Sequence, residues 1–328
     1  IWRWAELLPV REEVYRITLG EGDTPLLRLP RLGDRLGLSN LYVKDEGFNP
    51  TGTFKARGLL MAVARAVELG ENEFVIPTAG NAGSALAAYA ARAGKKAHVF
   101  MPCDAPRVTM EEVKAYGAEL ILVDGLIDEA GRQAKKKIEE NGWCDVSTFK
   151  EPYRPEGKKT MGLELAEEFN WELPDVILYP TGGGTGLVGM WKAFNELETM
   201  GWIGSKRPRF VSIQPAGCAP IVRAFQEGSE RADYWENAHS IAGGIRVPGV
   251  FADRPILRLL KESKGNAVAV SDDEILQWQK KLAEMEGFLA SPESCATVAA
   301  LAHLMEEDWI EPHEKVVLFS TGSGLKYV

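Results

Sequence analysis

The sequence predicts an α/β protein made of two open, mostly parallel α/β/α sheet domains, and three observations predict it. Short β-rich runs alternate with longer helical patterns, the alternation that parallel sheets covered by helices produce. Several helical patterns close on a glycine, a common way to end a helix. The loops that follow three of the strands are glycine-rich and polar, and open parallel sheets bind ligands outside the carboxyl ends of their strands. With 328 residues, the chain exceeds the size at which a single core usually keeps growing, so one large or two medium domains are expected.

The strands expected in chain order are LYVK at 41–44, EFVIP at 73–77, AHVFM at 97–101, ELILV at 119–123, DVILYP at 175–180, RFVSI at 209–213 and KVVLF at 315–319. The crossover helices expected between them include 85–94, 127–142 and 272–287, with charge on their solvated faces. The loops after strands carry the unusual chemistry: TAGNAGS after 73–77, TGGGTG after 175–180 and STGSG after 315–319. The Pro-rich, charged run KEPYRPEGKK at 150–159 reads as a connection between domains.

Composition removes several function classes. Lys plus Arg at 38 against Asp plus Glu at 47 gives a net charge of −9, which opposes binding to a phosphate backbone, so no nucleic-acid partner is expected. No apolar run approaches the ~20 residues of a membrane helix and no signal peptide opens the chain, so a cytoplasmic protein without a membrane partner is expected. Cys103, Cys144, Cys218 and Cys295 form no CxxC pair, and His98, His239, His303 and His313 show no HExxH spacing. Reduced, mostly packed thiols and no metal are therefore expected. The first residue is Ile1 rather than Met, so residues before it are expected to be missing.

Two loops carry most of the chemical signal. Thr181-Gly182-Gly183-Gly184-Thr185-Gly186 follows a buried-looking strand and leads into the helical pattern LVGMWKAFNELE. Without Cβ atoms the backbone can approach an anion, and a helix N-terminus adds N–H donors and a favourable dipole. The loop lacks the spacing of a nucleotide P-loop or a dinucleotide site, and by itself a tight strand-to-helix turn explains it equally well. Lys55 stands in Asn49-Pro50-Thr51-Gly52-Thr53-Phe54-Lys55-Ala56-Arg57-Gly58, where turn residues lead into the apolar helix LLMAVARAVELG. A helix dipole disfavours an ammonium at that end and so favours the neutral amine that a Schiff base requires. Taken alone, a solvated surface lysine would explain it better.

The run NPTGTFKARG resembles the lysine motif of the fold type II pyridoxal-phosphate enzymes. Thr24-Pro25-Leu26, Ala79-Gly80-Asn81, TGGGTG and Thr321-Gly322-Ser323-Gly324 resemble further motifs of that family, in the family's order and across nearly the whole chain. Within it, WRWAELLPV, GEGDTPL, VKDEGFNPTGTFKARG, EPYRPEGKKT and STGSGLKYV are most similar to the threonine synthase-like group. The resemblance implies pyridoxal 5'-phosphate in the cleft between the two domains, a small amino-acid substrate and a homodimer. It implies a larger cofactor-binding domain of residues 1–45 and 155–328 and a smaller α/β domain of 46–154 inserted in it. Longer related chains often begin with a small metal-binding ribbon, so such an element could precede Ile1.

Residue by residue, the resemblance implies that Lys55 is the catalytic residue, forming the Schiff base and moving protons, with Phe54 beside it on the cofactor. Asn81 would hydrogen-bond the cofactor's 3'-oxygen, while Thr78, Ala79, Gly80, Asn81 and Ala82 receive the substrate carboxylate. Gly182, Gly183, Gly184 and Thr185 would hold the cofactor phosphate, and Thr321 would face the pyridine nitrogen. A hydroxyl at that nitrogen suits elimination better than transamination. Arg154 matches the position from which threonine synthases bind the substrate phosphate, with Lys158 and Lys159 close by in sequence, although a charged interdomain connection also explains this cluster.

Two departures affect the substrate. Several threonine synthases have Asp after the lysine and Asn in the phosphate loop, whereas here Ala56 follows Lys55 and the loop is TGGGTG, as in the dehydratases. The implied function is a threonine synthase that makes L-threonine and phosphate from O-phospho-L-homoserine and water. The alternative is a serine or threonine dehydratase that releases ammonia. A non-catalytic cofactor carrier needs only the lysine, and Asn81 and Thr321 argue against it.

Overall fold

The computed structural model describes residues 1–125 and 127–327, so Val328, which ends the last of those motifs, lies outside the described residues. In chain order the elements begin with β1 (Leu26–Arg28), α1 (Pro30–Leu36), β2 (Asn40–Asp45), α2 (Lys55–Glu68), β3 (Glu73–Pro77), α3 (Asn81–Arg92) and β4 (Lys96–Pro102). There follow α4 (Arg107–Ala115), β5 (Glu119–Val123), α5 (Ile127–Asn141), β6 (Cys144–Asp145), α6 (Tyr153–Glu168), β7 (Val176–Pro180) and α7 (Thr185–Thr199). The chain ends with β8 (Arg209–Pro215), α8 (Pro220–Gln226), α9 (Asp253–Glu262), β9 (Asn266–Val270), α10 (Asp272–Glu286), α11 (Pro292–Glu306) and β10 (Lys315–Ser320). The chain divides into two compact units, one of Ile1–Asp23 with Asn49–Thr160 and one of Thr24–Phe48 with Met161–Val328.

The first unit carries a fully parallel four-stranded sheet, ordered β5-β4-β3-β6. Side chains alternate along its central strands because successive residues of a strand point to opposite faces. Phe74, Ile76, Val99 and Met101 enter a core with Leu59, Leu60 and Leu86 of α2 and α3. Val75 and Phe100 join Ala130 and Ala134 of α5 in a second core. Both faces are thus covered, as a parallel sheet requires.

The segment Ile1–Asp23 belongs to this unit, whereas sequence alone placed residues 1–45 with the larger domain. Hydrogen bonds explain the difference. The Tyr89 hydroxyl on α3 donates to Glu21 at 2.7 Å, Lys159 Nζ on α6 donates to the Leu7 carbonyl at 2.6 Å, and the Gly22 N–H reaches Asn49 Oδ1 at 3.0 Å. Burial and the Glu21 carboxylate push the Tyr89 phenol up, so it stays a donor.

The second unit carries a six-stranded sheet ordered β1-β2-β10-β7-β8-β9, parallel throughout except for β1, which runs antiparallel to β2. α11 is buried along nearly its whole length and packs with Leu178, Val211, Ile213 and Leu318 of the sheet. Its start is well defined. Ser291 accepts from the Ser294 N–H and Pro292 occupies the first turn, where a missing N–H is harmless. α10 begins with a reciprocal capping box between Ser271 and Glu274 and ends on Gly287 in the left-handed region.

Among the described residues no helix is long and apolar enough to cross a membrane, and no group of three His, Cys, Asp or Glu side chains could hold a metal ion. Burial pushes the Cys144 and Cys295 thiols up to about 12 and the Cys218 thiol up to about 11, so these three are unreactive packing residues at neutral pH.

In the first unit α2 comes very close to the start of α6. A Cβ built on Gly157 would fall 2.1 Å from the Arg57 carbonyl oxygen and 2.9 Å from Met61 Cβ. Backbone cannot yield as a side-chain tip can. Gly157→Ala should therefore destabilise the protein by about 1–3 kcal/mol or more, read as a thermal midpoint lowered by several degrees. An unchanged midpoint would contradict this close approach.

Candidate active site

Lys55 is the first residue of α2, and the loop before it explains how it gets there. Thr51 and Gly52 both adopt the left-handed region, with φ of 64° and 66°. For Thr51 this conformation costs roughly 1–3 kcal/mol, so the surrounding structure must enforce it. The turn is closed by the Gly52 N–H to the Asn49 carbonyl at 2.9 Å, and α2 starts with the Ala56 N–H to the Thr53 carbonyl at 3.2 Å. The N-cap residue Phe54 gives no side-chain cap, and the Lys55 N–H reaches Thr53 Oγ1 at 3.4 Å. Half-buried Lys55 thus stands at the end of α2 where the helix dipole disfavours its positive charge.

Lys55 has a second lysine close by. Its Nζ lies 3.9 Å from the centre of the Phe54 ring, and Lys158 Nζ lies 3.8 Å from the same ring centre. Lys158 also donates to the Phe54 backbone carbonyl. Gly58 makes room for it, since a Cβ there would fall 2.9 Å from Lys158 Cε and 3.2 Å from the Arg154 carbonyl oxygen. Sequence proximity to Arg154 had drawn attention to Lys158, but its approach to Phe54 and Lys55 was not foreseen. The only sequence hint was the pair of small residues, Gly58 and Gly157.

The run at 150–159, read from sequence as a domain connection, leads into α6, the helix within which the chain passes from the first unit to the second, between Thr160 and Met161. Its basic side chains are buried: Arg154 is 2% exposed, Lys158 0% and Lys159 1%. Glu151 begins the helix, its carboxylate accepting from the Tyr153 and Arg154 backbone N–H groups. Arg154 Nη1 donates to the Val146 carbonyl at 3.0 Å, while its buried Nε has no hydrogen-bond partner among the described residues. Burial pushes the Arg154 guanidinium down to about 10, against the pull of Glu151 and Asp145, so it stays charged at neutral pH. Burial likewise raises the Glu151 carboxyl, against the opposing pull of Arg154.

Residues Thr78, Ala79, Gly80, Asn81 and Ala82 form the turn from β3 into α3. Thr78 Oγ1 accepts from the Gly80 N–H at 3.2 Å, and the Gly83 N–H reaches the Gly80 carbonyl at 3.0 Å. No side chain caps α3, so its first N–H groups face the same turn as half-buried Asn81. Lys55, Phe54, Asn81 and Arg154 all belong to the first unit.

The remaining predicted residues belong to the second unit. Gly182, Gly183 and Gly184 connect β7 to α7, with Gly184 at φ 78° and Thr185 as the first helical residue. The loop is closely surrounded: a Cβ on Gly182 would lie 2.9 Å from the Gly244 carbonyl oxygen, and one on Gly186 1.9 Å from the Tyr179 hydroxyl oxygen. No side chain caps α7. Thr321 follows β10 and is buried, and the next residue is tied to α11 because the Gly322 carbonyl accepts from the Ser291 N–H at 3.1 Å. Sequence reasoning passed over Glu293 on α11, which is 4% exposed and accepts from the Gly244 N–H at 2.7 Å.

A sequence profile described as pyridoxal-phosphate dependent enzyme matches residues 17–322. The chain is 38% identical over 327 residues to the threonine synthase of Methanocaldococcus jannaschii, covering 99% of this chain and 80% of that protein. It is 35% identical over 325 residues to the threonine synthase of Bacillus sp. (strain ULM1), covering 99% and 89%. Among solved structures, the L-serine ammonia-lyase of Rhizomucor miehei superposes with a TM-score of 0.81 at 24% identity, covering 92% of this chain and 94% of that one. The processed form of threonine deaminase isoform 2 from Solanum lycopersicum superposes with a TM-score of 0.79 at 23% identity, covering 95% of this chain and 81% of that one.

Gly184→Ala tests the anion cradle. A left-handed residue with a Cβ is strained by roughly 1–2 kcal/mol, and that Cβ would also meet Ile256 Cδ1 at 2.2 Å. Absorbance titration of the apoprotein should show affinity for pyridoxal phosphate reduced about tenfold or more, whereas a neutral effect would remove the loop from the phosphate site.

Proposed function

The chain belongs to the fold type II family of pyridoxal-phosphate dependent enzymes, and on that premise we propose that it is a threonine synthase, a lyase that converts O-phospho-L-homoserine and water to L-threonine and phosphate. The observation that carries the reading is the buried Arg154. A guanidinium taken out of water with its Nε donor unspent is suited to an anionic ligand, because an unmet buried donor costs about 1–3 kcal/mol and more when charged. Relatives named threonine synthase, at 32–38% identity over nearly the whole chain, support the same reading.

The residues fit the cofactor. Lys55 offers an amine where the helix dipole disfavours its protonation, and the glycine loop opens α7 without a side-chain cap over its first N–H groups. In this reading Lys55, Phe54, Asn81, Gly182, Gly183, Gly184, Thr185 and Thr321 hold the cofactor. When bound, pyridoxal phosphate supplies the electron sink that makes the protons of a substrate amino acid acidic. Lys55 Nζ then takes and returns protons along the substrate chain. The backbone of Thr78, Ala79, Gly80, Asn81 and Ala82 orients the substrate carboxylate at the N-terminus of α3. Arg154 holds the substrate phosphate and anchors the far end of the chain, so binding energy remote from the reacting carbons positions them. The proposal also carries a cytoplasmic homodimer, by the same resemblance.

A second reading, a serine or threonine dehydratase, is favoured by the all-glycine loop, which lacks the Asn side chains of several threonine synthases. Product analysis separates the two. Purified protein given O-phosphohomoserine, threonine or serine should release phosphate and threonine from the first and little 2-oxo acid from the others. Arg154→Ala should lower kcat/KM for O-phosphohomoserine on the order of tenfold to a hundredfold, from charge-assisted hydrogen bonds of about 1.5–3 kcal/mol, with cofactor affinity nearly unchanged. Robust 2-oxobutyrate formation from threonine, insensitive to Arg154, would leave the dehydratase standing.

Lys55→Ala should abolish turnover with little change in the thermal midpoint. Borohydride reduction followed by peptide mapping should find the cofactor on Lys55. Its recovery on another lysine would sink the assignment.

A further inference from the structure

We infer that Glu293 is a positioning residue for the cofactor's phosphate loop: its carboxylate holds the Gly244 N–H, and through Gly244 it fixes the segment of chain against which Gly182 is set. The inference rests on the reading of Gly182 to Thr185 as the phosphate cradle, and it holds whichever substrate the enzyme takes.

Every part of this arrangement lies in the second unit. Gly182 is backed by residues 244–247. A Cβ built on it would lie 2.9 Å from the Gly244 carbonyl oxygen, 3.2 Å from Ile245 Cα and 3.0 Å from Val247 Cγ2. Contact this close makes the shape of the loop depend on where that segment stands, because packed backbone has no slack to absorb a shift. The segment is held from outside at its entry and in its middle. At the entry, Asp272 accepts from the Ser240 hydroxyl at 2.6 Å and from the Ile241 N–H at 3.1 Å. In the middle, at the short helix Gly243–Ile245, Glu293 Oε1 accepts from the Gly244 N–H at 2.7 Å. The N–H groups of Gly243, Ile245 and Val247 bond to carbonyls of the segment itself, at 3.0, 3.1 and 3.1 Å, so they shape the turn without tying it to α11.

The mount that carries Glu293 is rigid. Ser291 caps α11, Pro292 occupies its first turn, and the Ser291 N–H bonds the Gly322 carbonyl at 3.1 Å, so Glu293 stands on a helix start tied to the chain that follows β10. The first turn of a helix also accommodates a carboxylate, because the dipole there favours negative charge. Gly244 is small where it has to be. A Cβ on it would lie 2.8 Å from Glu293 Oε1 and 3.2 Å from Glu293 Cδ.

Packing alone does not explain the residue. Glu293 is 4% exposed, and its second oxygen, Oε2, is buried without a hydrogen-bond partner among the described residues. A buried carboxylate oxygen left unpaired is unfavourable, so an apolar side chain would fill this space more favourably. An apolar side chain, however, cannot accept from the Gly244 N–H. Charge is not the contribution either, since a carboxylate near the loop repels a phosphate. What Glu293 supplies is the acceptor.

The test uses cofactor-free full-length protein and does not read turnover. Hydrogen exchange of the peptide that covers Gly244, followed by mass spectrometry, reads the hold itself. Glu293→Ala should make the Gly244 amide exchange about tenfold faster or more, whereas Glu293→Gln keeps an acceptor and should leave it slow. Absorbance titration reads the consequence. Glu293→Ala should weaken binding of pyridoxal phosphate by about tenfold or more but binding of pyridoxal, which lacks the phosphate, by less than about threefold, and Glu293→Gln should restore the phosphate form to near the wild-type value. Removing a negative charge would by itself tighten the binding of an anion, so a loss in Glu293→Ala has the wrong sign for a charge effect. Glu293→Met fills the space without a comparable acceptor and is read in the same way if the alanine variant does not fold. Failure of both to fold makes Glu293 a residue of the core and overturns the proposal. Unchanged exchange or unchanged pyridoxal phosphate affinity in a folded Glu293→Ala protein overturns it too, as do equal losses for the two cofactors or a loss in Glu293→Gln equal to that in Glu293→Ala. Wild-type protein that binds pyridoxal as tightly as pyridoxal phosphate would instead sink the phosphate reading of the glycine loop, and the exchange measurement would still report the hold of Glu293 on Gly244.

Discussion

The crossing of α2 and α6 is the constraint on which the chemistry of the first unit depends. Gly157 lets the two backbones approach until a methyl group there would collide with the Arg57 carbonyl, and a methyl group on Gly58 would press on Lys158 and the Arg154 carbonyl. The approach buries Arg57, Arg154, Lys158 and Lys159 along one seam, and burying a charge is unfavourable unless hydrogen bonds replace the lost water. Each cation accordingly reaches an oxygen. Arg57 uses Thr160, Arg154 uses Val146, Lys158 uses Phe54, and Lys159 uses Leu7 and Glu156. Because three of these acceptors are backbone carbonyls of other segments, the cations fix the loop before Lys55 and the amino-terminal segment together with α6.

In the second unit a buried lysine plays a comparable structural part. Lys44 at 0% exposure donates to the Thr24 carbonyl at 2.7 Å and meets Glu168 at 2.7 Å and Glu164 at 3.2 Å. Thr24 in turn donates its hydroxyl to Glu46 at 2.7 Å. The Thr24-Pro25-Leu26 motif, which sequence singles out without giving it a task, therefore joins β1 to β2 and α6. Removing one partner of such a buried pair would leave an uncompensated charge, which explains why the motif is polar at a position that is almost fully covered.

The candidate anion sites share one physical device. The turn before α3 and the glycine loop before α7 each lead from the carboxyl end of a parallel strand into a helix without a side-chain cap. The first N–H groups of such a helix have no intrahelical acceptor, so a carboxylate or phosphate satisfies donors that the chain itself leaves open. What differs is the reach of the backbone. Gly182, Gly184 and Gly186 are closely surrounded by other parts of the chain, so a side chain there would have to displace protein, whereas Gly80 has open space around it.

Much of this arrangement was legible in the sequence, because β-rich runs, helix-closing glycines and glycine loops report local preferences that the fold obeys. The strands expected at 73–77 and 119–123 are β3 and β5 with the same bounds, and Lys55 does open a helix. The missed strands β1, β6 and β9 are short or rich in Ala and Asn, and they are strands because a neighbour supplies the pairing. α6 was hidden by Pro155 and a run of charge. A proline is tolerated there because first-turn N–H groups have no helical partner, and Glu151 accepts two of the remaining ones. Sequence determined which residues carry reactive groups and on what local scaffold they stand. Only tertiary packing decided that Arg154, Lys158 and Lys159 lie inside the protein rather than in water, since a cation's burial depends on carbonyls and glycines far away in the chain, which no local pattern encodes.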